Sequence, residues 1–180
     1  MLRTLLFTTL LLSAAAQARE WTVDPAGSTL GFKGTYQGDG FAGTFRRFEA
    51  KIRYDEADLG ASRFEVDVDT GSADTGSAER DESLQGGDFF AVAKFPKAHF
   101  VTKSFAKGAD GRVTAQGTLT IRDRTRPVTL QVRFVADGDR ATLDVDTVLQ
   151  RADFGLGDGS DWAEIGAEVP VHGHLVLTAK

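Results

Sequence analysis

The chain has 180 residues, a formal net charge of −5 and no cysteine. Its acids and bases are interspersed, so the charge serves solubility; no basic stripe suits nucleic acid and no cationic patch suits anionic lipid. Without disulfides, the fold must hold by packing and hydrogen bonds alone.

The first segment to be set apart is 1–18. Arg3 supplies a short positive region, and Leu5 to Ala16 is apolar but too short to cross a bilayer. Ala16-Gln17-Ala18 has the small-residue spacing of a cleavage site. These features predict a signal peptide over 1–18 and export to the periplasm. No cysteine follows it, which excludes lipoprotein processing. Removing Arg3, the only charge in the leader, takes the net charge from −5 to −6. The remainder, 19–180, has the length of a single domain with a real core.

Period-two alternation then dominates. Weak strand patterns cover 28–37 and 43–54. Phe64, Val66 and Val68 alternate with Glu65, Asp67 and Asp69. The pattern breaks at 77–86, where a short helix is expected, with Ser77 as N-cap and Gly86-Gly87 as the stop. It is polar on most faces, so it should lie across an opening or along the outside of the domain. A further weak strand covers 97–105. Val113, Ala115, Gly117, Leu119 and Ile121 then share one face, as do Val128, Leu130, Val132, Phe134 and Ala136. Leu143, Val145, Thr147 and Leu149 form a third such set, and Val169, Val171, Gly173, Leu175 and Leu177 a fourth. Gly38-Asp39-Gly40, Gly108 to Gly111 and Asp137-Gly138-Asp139 supply turns, and Arg126-Pro127 suits a strand start. About eight antiparallel strands, dry on one face and wet on the other, imply a sandwich or a closed barrel.

Candidate chemistry is sparse. His172 and His174 stand two apart on one strand face, a spacing that can supply two metal ligands. The apolar alternation turns them outward, so a solvated face is expected and no metal site is assigned. A metal-dependent hydrolase using His172, His174 and His99 is the alternative. The pairs Asp67/Asp69 and Asp144/Asp146 also fall on outer faces, with no apolar pocket to raise a pKa. There is no G-x-S-x-G, and the glycine-rich run from Gly155 to Gly159 lacks a strand-to-helix setting for phosphate. No catalytic residue is assigned.

The 13 phenylalanines are the stronger signal. An eight-stranded barrel either packs solid or holds one small ligand. The candidate bore set is Phe32, Phe45, Phe64, Phe89, Phe90, Phe100, Gly117, Leu119, Phe134, Phe154, Trp162 and Gly173. Within it, Gly117 and Gly173 are expected to remove volume where a slim chain could pass, and Trp162 to close one end.

Several short pieces together resemble the YceI-like family. They include Trp21-Thr22-Val23-Asp24 with Ser28, Gly43-Thr44-Phe45 with Phe48, and Ser72 to Gly76 with Arg80-Asp81 and Leu84. Asp88-Phe89-Phe90, Phe95-Pro96, Gly117 to Ile121 and Arg151 to Gly155 continue the match through the chain. Gly27 stands where that family often has His, and Asp123 where it often has a turn glycine. Asp123 tolerates the same left-handed turn. The resemblance implies an antiparallel lipocalin-like barrel that binds a polyisoprenoid, such as a quinone (ubiquinone) or a polyprenyl compound, and no enzyme activity or other cofactor. It makes Arg80-Asp81 and Arg151-Asp153 structural pairs, with Arg80 and Arg151 as candidate head-group residues. It also implies a membrane b-type cytochrome as a partner and a homodimer. A stress-protective module acting through its surface is a further alternative.

Overall fold

Each alternating segment forms a strand, and the strands pair into one sheet that closes on itself. The computed structural model describes residues 18–180, so the predicted leader lies outside it except for Ala18. The strands are β1 (Arg19–Tyr36), β2 (Asp39–Phe45), β3 (Phe48–Tyr54), β4 (Arg63–Asp69) and β5 (Ala73–Asp74). After helix α1 (Ala78–Gln85) come β6 (Lys97–Lys107), β7 (Val113–Ile121), β8 (Arg124–Asp137), β9 (Arg140–Gln150) and β10 (Glu168–Ala179). All pairings are antiparallel. The order β1-β10-β9-β8-β7-β6-β4-β3, returning to β1, is the closed eight-stranded barrel that the alternation predicts. β2 and β5 extend the wall at one end, called here the mouth.

The departures from the sequence expectation are local. The strand expected at 28–37 begins at Arg19 instead. Pro25 to Ser28 form a bulge across which the register to β10 shifts. There the Ser28 hydroxyl donates to the Asp24 carbonyl at 2.6 Å and accepts from the Val176 N–H at 2.9 Å, which keeps the bulge satisfied. The single strand expected at 43–54 divides into β2 and β3. At the bend, the Arg46 N–H donates to the Ser72 carbonyl and the Arg47 N–H to the Ser72 hydroxyl, each at 3.0 Å. Pro127 lies inside β8, not at its start. Its ladder with β9 begins only at Gln131, so the missing N–H falls where that side is unpaired. In the two-residue loop from Ile121 to Arg124, Arg122 takes the left-handed conformation (φ 57°), rather than Asp123.

The barrel is solid at the end opposite the mouth. Trp21, Tyr54, Phe64, Leu143 and Leu177 are buried there, with Phe105 and Phe134 packed against them. Tyr54 and Phe134 have ring centroids 4.6 Å apart, Phe64 and Phe105 4.9 Å, and Trp21 and Phe134 5.2 Å. Such pairs add about 0.5–1.5 kcal/mol each beyond area burial. The Trp21 indole N–H donates to the Tyr54 carbonyl at 3.1 Å. Buried Thr102 is satisfied too: its hydroxyl accepts from the Phe64 N–H at 2.9 Å.

Burial in this plug, first, and then the charges of Glu56 and Asp55 push the Tyr54 phenol up to about 12 from 10. The folded state therefore keeps a proton that the unfolded chain releases. The stabilisation is intact below pH 10 and is lost as pH rises towards 12. Stability should fall by about 1.4 kcal/mol per pH unit across that window from this group alone. Urea unfolding of the protein and of Tyr54→Phe at rising pH checks this; equal slopes for both would refute it.

Candidate functional site

Above the plug the interior opens into a cavity of about 470 Å³. Its wall is apolar, because the inward positions of six barrel strands are mostly aliphatic: Val66 and Val68 on β4, Leu119 and Ile121 on β7, Val128 and Leu130 on β8. Leu30 and Phe32 on β1, Val145 and Leu149 on β9, and Val169 and Val171 on β10 complete the ring. Phe45 stacks beside Phe32 at 5.2 Å and meets Phe90 at 5.9 Å.

Helix α1 lies over the mouth, one of the two placements its polar faces allowed. The Ser77 hydroxyl accepts from the Arg80 N–H at 3.4 Å, as expected of an N-cap, and Gly86 is the C-cap. Ser77, Glu79, Arg80, Ser83 and Leu84 line the cavity from the helix. Two loops complete the cover. The 86–96 loop brings Phe89 and Phe90, and the loop after β9 brings Phe154, Leu156, Trp162 and Ile165. They are laced together: the Gly157 N–H donates to the Asp88 carbonyl at 2.7 Å, and the Trp162 indole N–H to the Asp88 carboxylate at 3.1 Å. The rings of Phe89 and Trp162 meet edge to face at 4.9 Å. Arg122 ties both loops to the barrel by donating to the carbonyls of Phe89 and Gly155.

The candidate residues divide into three groups. Phe32, Phe45, Phe89, Phe90, Phe100, Leu119, Phe154 and Trp162 line the cavity. Phe64 and Phe134 belong to the plug below it, so they fill the barrel rather than face the bore. Gly117 and Gly173 are buried but do not widen the bore. A Cβ on Gly117 would stand 2.7 Å from the Phe100 ring, and one on Gly173 2.8 Å from Val145. Neighbouring side chains already take up the space above both glycines. Of the aliphatic wall, visible in the alternation, only Leu119 belongs to the expected bore set.

The two arginines differ. Arg151 donates to five backbone carbonyls, those of Leu156, Gly157, Trp162, Ile165 and Gly166. That fixes the loop after β9 and leaves its guanidinium no N–H for a head group. The Arg80 guanidinium lies 4.3 Å from the centre of the Phe41 ring, at the mouth. Neither expected pair forms. The Asp81 carboxylate accepts instead from the Thr75 N–H and hydroxyl, at 2.8 and 2.7 Å. Nearby, Arg46 first and the Gly76 N–H second hold the Asp74 carboxyl below its usual range.

The histidines sit on the outer wall, each beside an aspartate of the adjoining strand. His172 Nδ1 is 2.8 Å from Asp146, His174 Nδ1 2.6 Å from Asp144, and His99 Nδ1 2.9 Å from Asp67. Among the described residues, no three His, Asp or Glu side chains form a group that could hold a metal ion.

Comparison with known proteins places the chain. The YceI-like domain model matches residues 21–177, so the chain belongs to that family. It is 33% identical over 165 residues to a UPF0312 protein of Shewanella denitrificans, covering 87% of this chain and 86% of that one. It is 34% identical over 164 residues to the protein YceI of Salmonella arizonae, covering 86% and 83%. The crystal structure of BcnA from Burkholderia cenocepacia superposes with a TM-score of 0.81 at 27% identity, covering 86% of this chain and 99% of that one. A polyisoprenoid binding domain from Saccharophagus degradans, implicated in plant cell wall breakdown, shares the fold, with a TM-score of 0.70 at 17% identity, covering 90% and 99%.

Proposed function

We propose that this protein is a non-enzymatic binding protein for an amphiphile with an isoprenoid tail, a quinone or a polyprenyl compound. The observation that carries the reading is the apolar cavity of about 470 Å³, closed below by packed rings and bordered above by polar groups. Such a cavity offers a tail burial at about 0.8 kcal/mol per methylene. Lys33, Glu79 and Arg80 at the mouth are placed to meet a polar head. The polyisoprenoid binding described for the S. degradans domain supports the same ligand class. The leader-like segment at 1–18 supports work in the periplasm, where the protein would carry or buffer its lipid. A membrane b-type cytochrome is the proposed exchange partner for a quinone, and a homodimer the proposed assembly.

Mass spectrometry of protein purified from its native host tests the reading. The expected result is an extractable isoprenoid in the native protein and uptake of added quinone after delipidation. No lipid in repeated native spectra, together with no uptake, would count decisively against it.

A further inference from the structure

We propose that the Phe100 ring, lying over Gly117 on the wall at the lower edge of the cavity, is the floor residue that sets how long a tail the cavity accepts. The proposal rests on the reading of the bore as a tail site. In the barrel ladder Phe100 stands opposite Val66 on one side and Leu119 on the other. All three line the cavity. One inward position further down is Phe64, already packed against Tyr54 and Phe105 in the plug. Phe100 therefore marks the level at which open bore becomes solid core.

The ring can lie flat there because of Gly117. A Cβ at that position would stand 2.7 and 2.8 Å from Phe100 Cζ and Cε2, and would also meet the Val101 carbonyl. Any other residue would lift the ring into the cavity or force the strands apart. β10 repeats the device: Gly173 makes room for Val145 and Leu30, both on the cavity wall. The two inward glycines thus let side chains of the neighbouring strands lie over them. Phe100 is the largest of these, and its phenyl ring has one carbon more than an isoprene unit.

The test uses prenyl alcohols lengthened one isoprene unit at a time, with binding to the delipidated full-length mature protein read by native mass spectrometry and displacement of an apolar fluorophore. In the wild type, affinity should rise roughly tenfold or more per unit until the tail reaches the floor, and then stay flat. Phe100→Ala should move that break about one unit longer. Val66→Phe, which adds a ring at the same level, should move it about one unit shorter. Phe100→Leu gives the same lengthening in smaller measure if the alanine variant fails to fold. A break that stays put in the folded variants, or a wild type with no break, overturns the floor and leaves lipid binding standing. A wild type that takes up no prenyl alcohol of any length overturns both.

Discussion

Arg151→Lys is expected to lower the unfolding free energy by about 3 kcal/mol, the upper range for a charged hydrogen bond. The planar guanidinium reaches five carbonyls that come from both ends of the loop after β9. Lysine has three donors on one point and cannot reproduce that fork. Carbonyls left facing the half-buried gap lose their partners, although a loosened loop can return some of them to water. The expected loss is therefore smaller than five separate bonds. Arg80→Lys provides the contrast. Arg80 has an aromatic contact with exposed-side character, so its loss should stay near 0.5–1 kcal/mol. Urea midpoints at unchanged slope measure both. Limited proteolysis should find new cleavage in 155–166 only in the Arg151 variant. Equal midpoints for Arg151→Lys and wild type would remove Arg151 from its structural role. The same loop carries Trp162 and Ile165 on the cavity wall, so loosening it should also speed ligand release.

The barrel itself was legible because its signal is local. From β7 to β10, the inward residues of each strand alternate with mostly polar ones, and a one-residue slip would reverse every one of them. What stayed hidden depends on residues distant in sequence. The residues before 28 carry no strand signal of their own, and the bulge in β1 shows only where Ser28 meets Val176 on β10. The family resemblance pairs Arg151 with nearby Asp153, whereas the loop returns five carbonyls to it. Most of the expected phenylalanines do line the cavity, but the role of the glycines depends on which ring stands beside each. Register places them together. Phe32 lies directly opposite Gly43, and Gly34 directly opposite Phe41. Each ring lies within 3 Å of where the glycine's Cβ would stand. Phe89 covers Gly157 and Phe100 covers Gly117 in the same way. Four phenylalanines, Phe32, Phe41, Phe89 and Phe100, therefore cover glycines, and they share the cavity wall with Val, Leu and Ile. Periodicity identifies the inward face, but only cross-strand register says whether an inward glycine is a gap or a seat.

Val128→Trp should abolish tail uptake while the barrel stays folded. Val128 faces the cavity from β8 and stands opposite Gly117 in the ladder. It is half-buried, so the larger ring has the cavity to enter and need not displace the plug. Filling that space adds packing contacts the wild-type wall lacks, so the melting temperature should hold or rise. A tail that loses burial of about four methylenes forfeits about 3 kcal/mol, which is more than a hundredfold in affinity. Gln131→Trp on the exposed face of the same strand is the control, since it adds the same ring outside the bore. Uptake measured by native mass spectrometry should vanish for Val128→Trp and persist for Gln131→Trp. If folded Val128→Trp takes up lipid as the wild type does, the tail lies elsewhere on the protein. The outer wall, where every histidine of the chain stands beside an aspartate, would then be the surface to test next.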